Sequence, residues 1–99
     1  MKLEAKKNGK QLEVVLSGEL NTLTAPELSL LLEKELPGIE TLILNFKECD
    51  YVSSAGIRVL LSTYKILKAV KGQMMLKDVG ENFKEVLENV GLDAVFDMC

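Results

Sequence analysis

The sequence predicts an α/β fold, a mixed and mainly parallel sheet opened by an N-terminal β-hairpin, with helices packed mostly on one face. Three observations carry this. Apolar residues alternate with period two on both sides of Asn8-Gly9, a dipeptide diagnostic of a tight hairpin. Beyond residue 24 the spacing changes to apolar stripes of helical period, and these recur along the chain. Short apolar runs separate the stripes, and strand alternating with helix is the pattern of parallel strands joined by crossovers.

Each element has its own signal. Leu3, Ala5 and Lys7 alternate before the turn, and Leu12, Val14 and Leu16 share one face after it, which places the hairpin at a sheet edge. Thr24 stands three residues before Glu27, the spacing of a capping box. Pro26 fits the first turn, and Leu23 with Leu28 fits a hydrophobic staple. Leu28, Leu31, Leu32 and Leu36 then form a helical stripe that Pro37-Gly38 ends. Residues 41–46 are apolar on both faces, as for a central strand with helices over one side and close packing on the other. Asn45 is expected to end it and to bond the loop that follows.

Ile57, Leu60, Leu61, Tyr64 and Leu67 predict a second helix, ended by Gly72. Val59, Ile66 and Val70 add an apolar flank that makes it the most buried of the three. Lys65, Lys68 and Lys71 suit its C-terminal end as a solvated face. Residues 73–77, with Met74 and Met75 facing the core, read as a short strand. Phe83, Val86, Leu87 and Val90 form a third stripe, with Gly91 at its C-cap and Leu92 folding back on Leu87. Val95 and Phe96 are a last apolar anchor.

Composition narrows the function. The 99 residues suit one domain spanning 1–99, and 47% hydrophobic content supplies a core. Twelve basic against fifteen acidic residues give a net charge of −3, without the basic footprint of a nucleic-acid binder. Histidine is absent, which removes an imidazole base and imidazole metal ligands. Cys49 and Cys99 form no CxxC pair, so no zinc site and no cofactor is indicated. They read as free thiols of a reducing cytoplasm. The start of the chain lacks the apolar core of a signal peptide, and no apolar run reaches the length of a membrane span. The expectation is a cytoplasmic, non-catalytic binding module.

One stretch is more than scaffold: residues 49–58, between the central strand and the second helix. Ser53 or Ser54 suits the N-cap, and Ala55 and Gly56 leave the first turn uncrowded. An uncrowded helix N-terminus favours an anion, either a ligand phosphate or a phosphate on the serine itself. The glycine-rich nucleotide motifs are missing, and without histidine no base is placed to activate either serine.

Ser17-Gly18-Glu19-Leu20-Asn21, Leu42-Ile43-Leu44-Asn45-Phe46 and the run from Tyr51-Val52-Ser53-Ser54-Ala55-Gly56 to Leu61 together resemble a STAS domain, in particular the small bacterial anti-sigma factor antagonists. The resemblance implies a partner-switching module. It would bind an anti-sigma factor that is also a serine kinase and be released when that kinase phosphorylates a serine before the second helix. A PP2C-type phosphatase would reset it. The family pattern is Asp-Ser-Ser-Gly or Asp-Ser-Ala-Gly. Here Ser53 stands at the Asp position, Ser54 at the first serine and Ala55 at the second. The resemblance therefore points to Ser54 as acceptor, with Ser53 as the alternative. Asn21 stands where many members carry Asp. Asn21, Ser53, Ser54, Ala55, Gly56 and Arg58 are the expected partner-binding residues. The alternative is a constitutive STAS adaptor in a stressosome-like or lipid-transport assembly.

Overall fold

The computed structural model describes residues 1–98; Cys99 lies outside the described residues. The element order is β1 (Lys2–Asn8), β2 (Gln11–Leu20), α1 (Ala25–Glu35), β3 (Thr41–Val52), α2 (Ser54–Ala69), β4 (Gln73–Lys77), α3 (Glu81–Asn89) and β5 (Asp97–Met98). The strands lie in the order β1-β2-β3-β4-β5. β1 and β2 are antiparallel and every other neighbouring pair is parallel. The expected mixed sheet, opened by an edge hairpin, is the observed one.

The hairpin loop sits one residue later than the dipeptide suggested. Asn8 pairs with Gln11, so the two loop residues are Gly9 and Lys10. Gly9 takes φ +64° at the first central position, where a type II′ turn needs glycine. The predicted face survives, because Leu3, Ala5 and Lys7 pair with Leu16, Val14 and Leu12.

One face of the sheet holds the core. Leu12, Val14, Leu16, Leu42, Leu44 and Leu76 are fully buried, with Phe46 and Met74 almost so. Each contributes on the order of 1.5–3 kcal/mol through burial. Leu28, Leu32 and Leu36 of the first helical stripe pack against this face. Phe46 meets Phe83 of α3 with ring centroids 5.2 Å apart, and Tyr64 of α2 meets Phe96 edge-on at 5.7 Å. Phe96 anchors the C-terminal segment as expected, while the short strand falls on the next two residues.

The other face departs from expectation. Thr41, Ile43 and Asn45 of β3 are only half-buried there, as are Val15 and Met75 beside them. β3 is apolar on both sides because it is central, not because two layers enclose it. Asn45 does not end the strand. Its side-chain amide donates to the Glu13 carboxylate at 3.3 Å and its Oδ1 accepts the Lys47 N–H at 2.9 Å, while β3 continues to Val52.

The second helix is rotated from its predicted face. Gly56, Leu60, Thr63 and Leu67 point into the core, and Ile57, Leu61 and Tyr64 are half-buried. Ile66 is 57% exposed and Val70 63%, so these two residues of the apolar flank face outward while Val59 stays half-buried against the core. More than half the circumference of this helix is apolar, and periodicity alone does not choose its inner side. Thr63 is tolerated inside because its hydroxyl donates to the Val59 carbonyl at 2.8 Å.

The helix ends differ in one respect. α3 closes as predicted: Leu92 N–H bonds Leu87 O at 2.8 Å, Gly91 N–H bonds Glu88 O at 3.1 Å, and Gly91 has φ +75°. α2 ends in the same motif, with Gly72 N–H on Leu67 O at 2.7 Å and Lys71 N–H on Lys68 O at 3.1 Å. Here the positive-φ residue is Lys71, at +60°, and not Gly72. Gly72 is needed for clearance, since a Cβ there would stand 2.9 Å from the Glu40 carbonyl oxygen. Replacing Lys71 with glycine removes a side chain from the left-handed region. Lys71→Gly is expected to raise stability by about 0.5–1 kcal/mol in urea unfolding with an unchanged slope.

Candidate functional site

The candidate serines lie at the end of the molecule where the parallel strands β2 and β3 finish. Both strands run on past the sheet as a two-stranded extension. Ser17 and Gly18 pair with Glu48 and Cys49, then Glu19 and Leu20 with Tyr51 and Val52. Two register shifts interrupt this pairing, each adding one residue on the β3 side. They break the strict inside–outside alternation, so residues 47–51 are mostly exposed while Val52 turns inward.

The Ser53 N–H donates to the Leu20 carbonyl at 2.8 Å, which ties the start of α2 to the end of β2. α2 begins immediately. Its first internal bond runs from Ile57 N–H to Ser53 O at 3.0 Å, so the N–H groups of Ser54, Ala55 and Gly56 have no acceptor within the helix. The first turn holds no acidic residue. The positive end of the helix dipole is therefore uncompensated by its own side chains.

Ser53 occupies the N-cap with extended backbone, but its side chain makes no capping bond. Its Oγ is buried and without a hydrogen-bond partner. Ser54, one residue on, is exposed. The two adjacent serines are thus distinct: one hydroxyl is enclosed, and the other belongs to a residue facing solvent at the open helix end.

Gly56 does not leave room for a visitor, as its small size suggested. It is buried, and an added Cβ would lie 2.8 Å from Leu20 Cγ and Cδ2 and 2.9 Å from Val52 Cγ1. Its role is close approach: it lets α2 rest on the ends of β2 and β3. Ala55 is half-buried and Arg58 is exposed one turn into the helix. Among the described residues Arg58 has no carboxylate within salt-bridge distance.

Asn21 belongs to the same end through the β2–α1 turn, where its side chain is already engaged. Its Oδ1 accepts the N–H groups of Leu23 at 3.0 Å and Thr24 at 3.1 Å. The expected capping box does not form. Thr24 takes the N-cap position without a capping bond; its Oγ1 instead accepts the Asn21 N–H at 2.8 Å and donates to Glu19 O at 2.6 Å. Asn21 caps a turn that begins three residues earlier, and the Glu27 N–H donates to the Thr24 backbone carbonyl at 3.0 Å. The staple is also absent: Leu23 is 84% exposed while Leu28 is fully buried.

Leu23 and the half-exposed Tyr51 are large apolar surfaces at this end that sequence reasoning did not single out. Tyr51 carried a readable signal, an aromatic within a polar segment; Leu23 was hidden by its fit to the staple. Cys49, on the same extension, is a free thiol whose Sγ–H points to the Tyr51 carbonyl at 3.5 Å. Burial pushes its pKa above the ordinary thiol value, which argues against a reactive thiolate.

The geometry agrees with known proteins. A family model described as the STAS domain matches residues 2–99. BtrV of Bordetella bronchiseptica, whose name places it among anti-sigma factor antagonists, is 33% identical over 100 residues, covering 100% of this chain and 86% of that protein. The anti-sigma-B factor antagonist of Bacillus subtilis is 27% identical over 99 residues, covering 97% and 88%. Among solved structures, the unphosphorylated form of the anti-sigma factor antagonist SpoIIAA superposes with a TM-score of 0.81 at 18% identity, covering 99% of this chain and 87% of that one. The phosphorylated form of Bacillus SpoIIAA gives 0.79 at 19%, covering 99% and 91%. At such identities these superpositions establish the fold.

Two substitutions test the site's construction. Gly56→Ala gains roughly 1 kcal/mol in helix propensity but overpacks a closed contact, and a net loss of about 1–2 kcal/mol is expected in chemical denaturation. Ser53→Ala removes a buried hydroxyl that bonds nothing. It is expected to leave stability unchanged or raise it by up to about 1 kcal/mol, whereas a working N-cap would lose about that much.

Proposed function

The chain belongs to the STAS domain family, and from that premise we propose that it is an anti-sigma factor antagonist that works by switching partners. In this reading it is one cytoplasmic switch unit and not an enzyme. It holds an anti-sigma factor that is also a serine kinase, and that kinase ends the grip by phosphorylating Ser54. A PP2C-type phosphatase restores the binding form. The names of BtrV and the Bacillus subtilis relative support the partner class. That SpoIIAA has been solved with and without phosphate supports the switch.

The observation that carries the proposal is the contrast between the two serines. A kinase needs a hydroxyl it can reach. Ser54 is exposed at the first helical position, whereas the Ser53 hydroxyl is enclosed. This contrast supports Ser54 as the acceptor. A phosphate there adds about −1.5 to −2 charges beside free helix N–H groups and the positive end of the dipole. Its own helix tolerates that charge, so the domain stays folded and the partner surface changes sign. Asn21, Ala55 and Arg58 flank this surface, and Gly56 supports it from below.

A second reading, a constitutive STAS adaptor, is favoured by neutral Ser53 and Asn21 where the family pattern carries acids. One experiment separates the two. The protein is incubated with ATP and a serine-kinase anti-sigma factor from its own organism, and phosphate is located by mass spectrometry. Phosphate is expected on Ser54 in the unaltered protein and in Ser53→Ala, and none in Ser54→Ala. Ser54→Asp is expected to weaken binding to that anti-sigma factor by about 1–3 kcal/mol, measured calorimetrically. Unchanged affinity with no phosphate on either serine would sink the switch and leave the adaptor.

A further inference from the structure

A groove runs between α1 and α2. It begins beside Ala55 and Arg58 and leads to Ile66, Leu36 and Val70 at the far end of both helices. The half near Arg58 encloses about 550 Å³ and the half near Val70 about 510 Å³, and they merge at Glu33, Leu36 and Ile66. From Arg58 to Val70 the helical rise makes the groove about 18 Å long. Ile66 and Val70 stand one turn apart on its α2 wall, 57% and 63% exposed, opposite Leu36, Pro37 and Ile39. A lone exposed aliphatic side chain needs no explanation. Two on one wall of an apolar groove that starts at the proposed switch are a different matter.

Resting on the function proposed above, we infer that this groove docks a short amphipathic helix of the anti-sigma factor, three to four turns long. An acidic residue of that helix would face Arg58 and a basic residue would face Glu33. The argument is one of backbone chemistry, charge and continuity. The walls are helices whose backbone groups are already paired, so an extended peptide would find no partners for its own N–H and C=O groups; a helix brings its hydrogen bonds with it. The groove lies open along its length, which suits a helix between two helices better than a small enclosed ligand. Its charges are separated. Arg58 at one end and Glu33 at the junction of the two halves have no ion-pair partner among the described residues, while Glu40 at the far end is held by Lys10 at 3.3 Å.

The groove also begins where the phosphate would be added. Ser54 and Arg58 are four residues apart on one helix and therefore neighbours on its surface. A phosphate on Ser54 would compete for the guanidinium and repel the acid that the partner brings to it. Release then follows from charge alone, with no rearrangement of the fold.

The test compares groove variants with the switch variant against the same anti-sigma factor, by calorimetry. Ile66→Asp and Val70→Asp alter exposed side chains and are expected to leave the protein folded, with the thermal melt lowered by only about a few degrees because an acid sits poorly at a helix C-terminus. Each should weaken binding at least tenfold, and Arg58→Glu should do likewise. A charge-reversed residue in the partner's helix should recover most of the Arg58→Glu loss. Groove variants that bind within twofold of the unaltered protein, while Ser54→Asp is impaired, would overturn the groove alone. No binding by the unaltered protein would overturn the groove and the proposed function together. Self-association in sedimentation that Ile66→Asp abolishes would assign the groove to a second copy of this chain, and so also overturn it.

Discussion

The first turn of α2 rests directly on the side chains of Leu20 and Val52, and the rest of the functional end depends on that contact. No residue with a Cβ fits at position 56 without displacing them, because the nearest carbons would stand 2.8–2.9 Å away. The seat explains several features at once. β2 and β3 must run past the sheet to supply Leu20 and Val52, which they do as a bulged two-stranded extension. The helix must start immediately after Val52, which gives Ser53 the N-cap and puts Ser54 on the rim. It also sets the rotation of α2. With Gly56 inward, Leu60, Thr63 and Leu67 follow it into the core at helical spacing, and Ile66 and Val70 are carried outward. The buried glycine, the exposed serine and the apolar groove are consequences of one close approach.

Sequence reasoning succeeded where burial is one-sided. Leu12, Val14 and Leu16 on β2, and Leu28, Leu32 and Leu36 on α1, have a polar side to contrast with, so period alone identifies their inner face. The Gly91 ending of α3 was legible because its chemistry is local. The failures share a different cause. α2 is apolar over most of its circumference, and only a contact remote in sequence, between Gly56 and Leu20, decides which side turns in. At the start of α1, Thr24 and Glu27 had capping-box spacing, but the turn had already begun at Asn21, and the Thr24 hydroxyl is taken up by the Asn21 N–H and the Glu19 carbonyl. Bulges in β3 removed the alternation that would have extended the strand to Val52. Residues 49–58 stood out in the sequence as the candidate site; the inequality of Ser53 and Ser54 was not legible there, since hydroxyl burial depends on how β2 and α2 meet.

The electrostatics of this end favour a change that a partner feels and the fold does not. No acid lies in the first turn of α2, Ser53 contributes no cap, and Asn21 and Ser53 are neutral. A doubly charged group added at Ser54 would meet helix N–H groups and Arg58, on a helix that carries no carboxylate. Stability resides in the buried leucines of the sheet and the Phe46–Phe83 contact, whereas Ser54 is exposed. This separation is what the proposed switch would require of a small domain. A domain this small has little stability to spare, so a modification that acted by unfolding it would destroy the binding form as well as empty it. Under the proposed function, the same charge confined to one helix end would alter affinity while leaving the core untouched.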